Sequence, residues 1–391
     1  MPKKVSSPSN LAEKLGKSGP IKRKVEPVWK GPEVDGITYS LLTRFLSCRE
    51  RFRLYVIEGL CPPDRFNHRI EYGHMWHTCE EFHARNESWK GGLFTYCKNL
   101  SHFYPEARED IDKWYRVCSV QFPIYVDYWE KHPDMADRSP IEQEQIFCVD
   151  YKLPSGRVVK LRGKRDSMDV TDKYSRVWLQ ENKTKGDIQP DKMVRQLTFD
   201  LQTMMYLTAV YAGRYEPPLI EAIPKGATIA GVRYNVIRRP LSGGKGTIVQ
   251  KKASKNHPGE TTAQYYDRLA QYIKDEPETY FFRWNVEISQ KDVDRFRAQC
   301  LDPILEQLCD WWQWVSFITE RGGSVWDNDV SFGARPDQKN NGAHCSAIHW
   351  RHPFGSTNWI DEGNSTDLDE YLASGSLVGL RRVDSLFSEL T

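Results

Sequence analysis

Between residues 142 and 186 the chain reads as three β-strands in succession, and this run limits the fold more than any other feature. EQEQIFCVDYKL, RVVKLRGKRDSMDV and SRVWLQENKTKG carry strand-forming residues, and polar turns at 154–156 and around Asp172-Lys173-Tyr174 separate them. Joints this short connect antiparallel neighbours, so a three-stranded meander is expected. A helix from about Met193 to Ala212 and then a strand, ATIAGVRYNVIRR, follow. A helical crossover of that kind adds a further strand to the sheet. The expected fold class is therefore α/β, a central mixed β-sheet flanked by helices.

Three helices are expected before the sheet. One opens at Ser40, placed as its N-cap, with Leu42, Phe45, Leu46, Phe52 and Val56 on one face; a second covers EYGHMWHTCEEFHAR; a third runs from Glu109 to Glu130. After the sheet come a helix at TTAQYYDRLAQYI, a strand at YFFRWNVEIS and a long helix from Lys291 whose Trp311, Trp312 and Trp314 suit a core better than a base-stacking platform. The expected organisation is a disordered basic tail over 1–36, a main domain over 37–330 and a partly irregular segment over 331–391. Residues 238–261 form a long basic insertion with Arg238, Arg239, Lys251 and Lys252. It reads equally as a phosphate-contacting loop and as a solvated one.

Composition removes several classes of function. No stretch approaches 18 uninterrupted apolar residues, so no membrane span is expected. MPKKVSSPSN has positive charge but no apolar segment behind it, so no secretory signal is expected and the protein is placed in the cytoplasm. Nine scattered cysteines fit reduced thiols. Net charge is only +2, so attraction to a polyanion must come from local patches.

The chemistry concentrates on the predicted hairpin. Residues 166 and 181 stand nearly symmetrically about a turn near 173, which brings Asp166 and Glu181 onto adjacent strands. Glu181 and Lys183 are two apart, so a strand's period of two puts both on the face beside Asp166. Two carboxylates and an ammonium are what metal-assisted phosphodiester hydrolysis needs: oxygen ligands for Mg²⁺ and a cation against developing negative charge. An ion-paired surface hairpin uses the same three residues.

The flanking residues decide between these readings. Ser40-x-Leu42-x-x-Phe45-x-x-Cys48-x-x-x-Phe52, Gly73-x-x-x-His77 with Glu80 and Glu81, Gly163-x-x-Asp166, Glu181-Asn182-Lys183 followed by Thr184 and Gly186, and Gln202-x-x-x-Tyr206 stand in that order. The series resembles the RecB-like branch of the PD-(D/E)XK nuclease superfamily, a group that includes lambda-type exonucleases and CRISPR-adaptation nucleases. The resemblance implies a restriction-endonuclease-like core in which His77, Asp166, Glu181 and the backbone carbonyl of Asn182 bind Mg²⁺. It implies that Lys183 positions the attacking water, that Gln202 and Tyr206 support the site or touch DNA, and that Gly73 allows close backbone approach. Glu144 resembles an acidic position preceding the Asp166 motif, or is a solvent-facing glutamate. His77 as a nitrogen ligand makes Mn²⁺ an expected substitute.

The chain departs from the branch in its cysteines. Cys48 occupies the first position of an iron–sulfur set, but near the far end only Cys345 appears, so no cluster is expected. A Zn²⁺ site from Cys48, Cys345, His349 and His352 is the weaker alternative to plain structural roles. No phosphate loop of G-x-x-x-x-G-K-[ST] spacing is present, so a helicase, like a recombinase or single-strand-binding protein, would be a separate chain. The expected function is a metal-dependent DNA exonuclease or end-processing nuclease with sequence-independent phosphate contacts. The alternatives are a restriction-type endonuclease and a non-catalytic DNA-binding or assembly protein.

Overall fold

Five strands hydrogen-bond in the order β2 (Ser139–Lys152), β3 (Val158–Thr171), β4 (Arg176–Lys185), β5 (Thr228–Arg238) and β6 (Phe281–Glu287); a separate antiparallel pair joins β1 (Leu60–Cys61) to β7 (Arg381–Arg382). This computed structural model describes residues 26–47, 49–61, 64–132, 138–171, 175–241, 248–255, 258–320, 381–383, 385–387 and 390. They fall into two units. One consists of Arg65–Phe147 and Lys164–Arg297, the other of Cys148–Gly163 with the described parts of Met1–Asp64 and Ala298–Thr391. The turn residues Asp172, Lys173 and Tyr174 lie outside the described residues.

β3 and β4 pair antiparallel, with Ser167 opposite Gln180, so Asp166 and Glu181 come at the end of that ladder. β4 and β5 pair parallel, with Glu181 opposite Tyr234 and Asn182 opposite Asn235, and β6 is antiparallel to β5. A mixed α/β sheet results, as the sequence predicts. Val177, Trp178, Leu179, Val232, Tyr234 and Val236 are all buried, the near-continuous pattern of strands covered on both faces. Gly231, with φ of 141°, allows β6 to approach, because a Cβ there would sit 2.1 Å from the Val286 carbonyl oxygen.

In the first unit the main helices are α2 (His68–Ala84), α3 (Trp89–Phe103), α4 (Arg108–Glu130), α5 (Pro190–Leu197), α6 (Leu201–Gly213) and α7 (Thr262–Asp275). Trp76, Phe122, Tyr125, Trp129, Leu269 and Phe281 share one aromatic-rich core. The single helix expected from Met193 to Ala212 is two, since Phe199 takes φ of 56° and the Asp200 side chain caps the second. Part of the insertion is anchored to α7: the Glu260 carboxylate accepts from the Lys251 N–H at 2.8 Å and from Arg268, and Tyr265 donates to the Ile248 carbonyl.

The second unit includes α1 (Tyr39–Ser47) and α8 (Asp302–Glu320), and Trp311 packs edge-on to Phe45 and Phe52 at 5.5 and 5.6 Å. The tryptophans, all three expected in the core, divide: Trp311 is buried there, while Trp314 is 40% exposed. Three local expectations change. Thr38, not Ser40, caps α1 by accepting from the Leu41 N–H at 3.3 Å. Leu46 is 46% exposed rather than on the buried face. Trp29, assigned to the tail, is fully buried against Phe52 and Trp312, so ordered packing starts before residue 37. Among the described residues no helix is long and apolar enough to cross a membrane.

Candidate active site

The end of β4 carries the predicted pair. Glu181 is buried, and the Lys183 ammonium donates to its Oε1 at 2.5 Å and to Gln202 Oε1 at 2.7 Å. Gln202 sits in the first turn of α6, and its Nε2 donates to Tyr206 Oη one turn on, at 3.4 Å. Tyr206 is fixed edge-on against Phe147 at 5.3 Å. The Q-x-x-x-Y helix thus serves as the second support of the lysine. Asp166, buried on β3, accepts from the backbone N–H of Asn182 at 2.7 Å, which locks its carboxylate beside the Glu181–Lys183 face.

His77 projects from α2 to the same place. Its Nδ1 lies 3.1 Å from Glu144 Oε1 and 3.8 Å from Asp166 Oδ1, and Lys164 donates to the other Glu144 oxygen at 2.8 Å. Of the two readings of Glu144, the solvent-facing one is therefore wrong. Glu144 has φ of 50°, a left-handed conformation unusual for a glutamate, in the middle of β2. The buried positions of that strand change parity after it, from 144 to 147 and 151. An irregularity of that kind turns a strand side chain toward a site, and the strain it holds is of order 1–3 kcal/mol.

Electrostatics follow from this crowding. Burial works against a charged His77, but the Asp166 and Glu144 carboxylates outweigh it and push the imidazole up to about 10. Burial raises Asp166 above the usual carboxylate range and Glu181 to about 7. Glu144 is lower than usual, since His77 and Lys164 overcome its burial. For Lys183 burial is outweighed by Glu181, so the ammonium stays charged. Without a cation His77 balances the acids that face it; a bound metal would replace its proton, since only the neutral imidazole can ligate.

The donors fit a divalent cation. His77, Glu144 and Asp166 each offer a ligand atom within 4.8 Å of the others. The Glu181 Oε2 atom is buried with no hydrogen-bond partner, an oxygen that a cation would satisfy. Carboxylate oxygens with one imidazole suit Mg²⁺ and Mn²⁺.

Other sequence candidates fare differently. Arg238, counted with an insertion that reads equally as phosphate-contacting and as solvated, is neither at the surface nor in a loop: it is 1% exposed, ends β5 and lies over the Tyr280 ring. Its position at the end of a strand covered on both faces is the reason. Arg239 donates to the Thr184 carbonyl at 3.1 Å, at the edge of the site. Lys251 and Lys252 are exposed. Cys48, Cys345, His349 and His352 lie outside the described residues. Spacing along the chain carries no signal that Arg69 and Lys185 are neighbours of Arg239; Glu80, quoted beside the His77 motif, receives no role from it because its partners Tyr125 and Asn182 are distant in sequence.

Gly73 does not need to be glycine. A Cβ there meets only Thr184 Oγ1 at 3.5 Å, an ordinary contact. Gly73→Ala is therefore expected to stabilise the free protein by about 0.5–1 kcal/mol, the usual gain inside a helix. A thermal melt checks this, and a clear loss of stability would show that the backbones approach more closely.

No curated protein matches this chain. A family model does, the PD-(D/E)XK nuclease superfamily, over residues 37–311. The match includes every residue of the site, and the five-stranded mixed sheet with flanking helices agrees with that fold. The chain belongs to the PD-(D/E)XK nuclease superfamily.

Proposed function

We propose that the protein is a divalent-metal-dependent deoxyribonuclease that acts at DNA ends, of the RecB-like type. The observation that carries the reading is Lys183, held between Glu181 and Gln202 beside the His77, Glu144 and Asp166 donors. His77, Glu144, Asp166 and Glu181 hold the metal, with the Asn182 carbonyl as a further ligand. A bound divalent metal supplies polarisation of the phosphate and acidification of a water. Lys183 directs the water and donates to the charge that develops on the phosphate oxygens. Gln202 keeps the ammonium from collapsing wholly onto Glu181, and Tyr206 fixes Gln202.

The surroundings support a polyanionic substrate. Arg239 has its guanidinium lowered by burial and by Arg69, and Lys185 is lowered by burial and by Lys183 and Arg239. Cations gathered against their own repulsion suit a phosphate backbone. Lys251 and Lys252, both exposed, offer further cations for phosphate contact.

End-labelled linear duplex, closed circular duplex, single-stranded DNA and RNA of the same sequence are to be incubated with Mg²⁺, Mn²⁺ or EDTA. Metal-dependent shortening of linear DNA, with circles intact and EDTA inhibiting completely, is expected. Cutting of closed circles would replace the end-directed reading with an endonuclease, and no cleavage of any substrate in either metal would sink the nuclease reading.

A further inference from the structure

Asn182 stands between Glu181 and Lys183, but its side chain leaves the strand on the other face. There its Nδ2 donates to the Glu80 carboxylate, and its Oδ1 accepts from Asn235 Nδ2 at 3.0 Å and Gln180 Nε2 at 3.3 Å. Glu80 in turn accepts from Tyr125 Oη at 2.8 Å, and Asn235 donates to that hydroxyl. Glu80 is 7% exposed, and burial raises its carboxyl above the usual range. A buried acid of this kind is retained at a cost unless its partners compensate it. It lies one helical turn after His77 on α2.

These bonds have a consequence on the reactive face. The Asn182 backbone N–H is the donor that holds Asp166 Oδ2, so the rotation of the Asn182 peptide sets the direction of the Asp166 carboxylate. Clamping the Asn182 side chain from behind fixes that rotation. We infer that Glu80 is a positioning residue of the metal site: through Asn182 it orients Asp166, while His77, on the same helix, meets the same carboxylate from the other side. The inference rests on the proposed metal-binding role of Asp166. Partners behind a ligand that orient it commonly account for 10–100-fold in metal affinity or activity.

The test measures Mn²⁺ affinity of the full chain from the electron paramagnetic resonance signal of free Mn²⁺, together with cleavage as a function of Mn²⁺. Glu80→Leu removes the acceptor at similar volume, and Glu80→Asp withdraws it by one methylene while keeping a carboxylate. Glu80→Gln keeps an oxygen for Asn182 and turns its amide toward Tyr125 Oη. Weakening of Mn²⁺ binding by about 10–100-fold in the leucine variant is expected. A smaller loss in the same direction is expected for aspartate, near wild-type affinity for glutamine, and recovery of cleavage at saturating Mn²⁺. Should the leucine variant fail to fold, the aspartate and glutamine pair decides. Wild-type affinity in the aspartate variant, or equal losses in aspartate and glutamine, overturns the inference. A wild-type protein that binds Mn²⁺ yet cuts no nucleic acid sinks the nuclease reading alone.

Discussion

Lys183→Ala is expected to lower cleavage at saturating DNA and metal by about 10²–10³-fold, the scale on which one preorganised donor to developing charge contributes. The physical argument is local. The ammonium is held at 2.5 Å from Glu181 and 2.7 Å from Gln202, so it is in place before substrate arrives and no reorganisation is needed during reaction. Removing it leaves Glu181 in a buried setting that already raises its carboxyl to about 7, so this acid can take up a proton and the fold should persist. Single-turnover cleavage, DNA binding and a thermal melt separate the effects. Retained cleavage with intact folding would show that Lys183 is only the partner of Glu181. Asp166→Ala, assayed alongside, is expected to lose both cleavage and Mn²⁺ binding, and a fully active protein would remove the site from consideration.

The second large effect concerns stability. Asp169 on β3 is 0% exposed and is shared by two arginines, Arg138 Nε at 2.6 Å and Arg233 Nη1 at 2.9 and 3.0 Å. Arg138 also donates to Gln180, and Arg233 to Asn285, so the cluster ties β3, β4, β5 and β6 together beneath the site. Asp169→Ala takes the carboxylate from a buried guanidinium, Arg233, and a partly buried one, Arg138, and breaking a buried pair on one side typically costs about 3–5 kcal/mol. In a unit of this size that corresponds to a melting temperature lower by about 10 °C. Arg157→Ala serves as the contrast: its pairs with Glu306 and Asp310 lie near solvent, and such pairs contribute about 1 kcal/mol or less. Equal melts for the two variants would show that the Asp169 cluster is not holding the sheet.

The two effects lie on opposite faces of the sheet, on the neighbouring strands β4 and β3. Glu181 and Lys183 point to the reactive side, while Gln180 and Asn182 join the buried network behind it. That alternation is why the site is well placed: the strand's period of two assigns chemistry to one face and support to the other. The strain at Glu144 belongs with this arrangement, since an unfavourable backbone in the middle of a strand persists only where the surroundings hold it.

Much of this was readable along the chain. Local rules are enough where partners are near in sequence: a short turn fixes Asp166 against Glu181, the strand period aligns Glu181 with Lys183, and the helical period aligns Gln202 with Tyr206. The ordered series of motifs then distinguishes a nuclease core from an ion-paired hairpin. Spacing could not reveal contacts between distant segments. Glu144 meets His77 across 67 positions, and Asn182 meets Glu80 across 102. Nor could it tell that Arg238 is enclosed and Arg239 beside it reaches the site. Such outcomes depend on how helices pack on the sheet and where a strand is irregular, because burial and desolvation are properties of the assembled layers. Sequence order determined which groups are candidates for the chemistry; packing determined which of them face one another and which support them from behind.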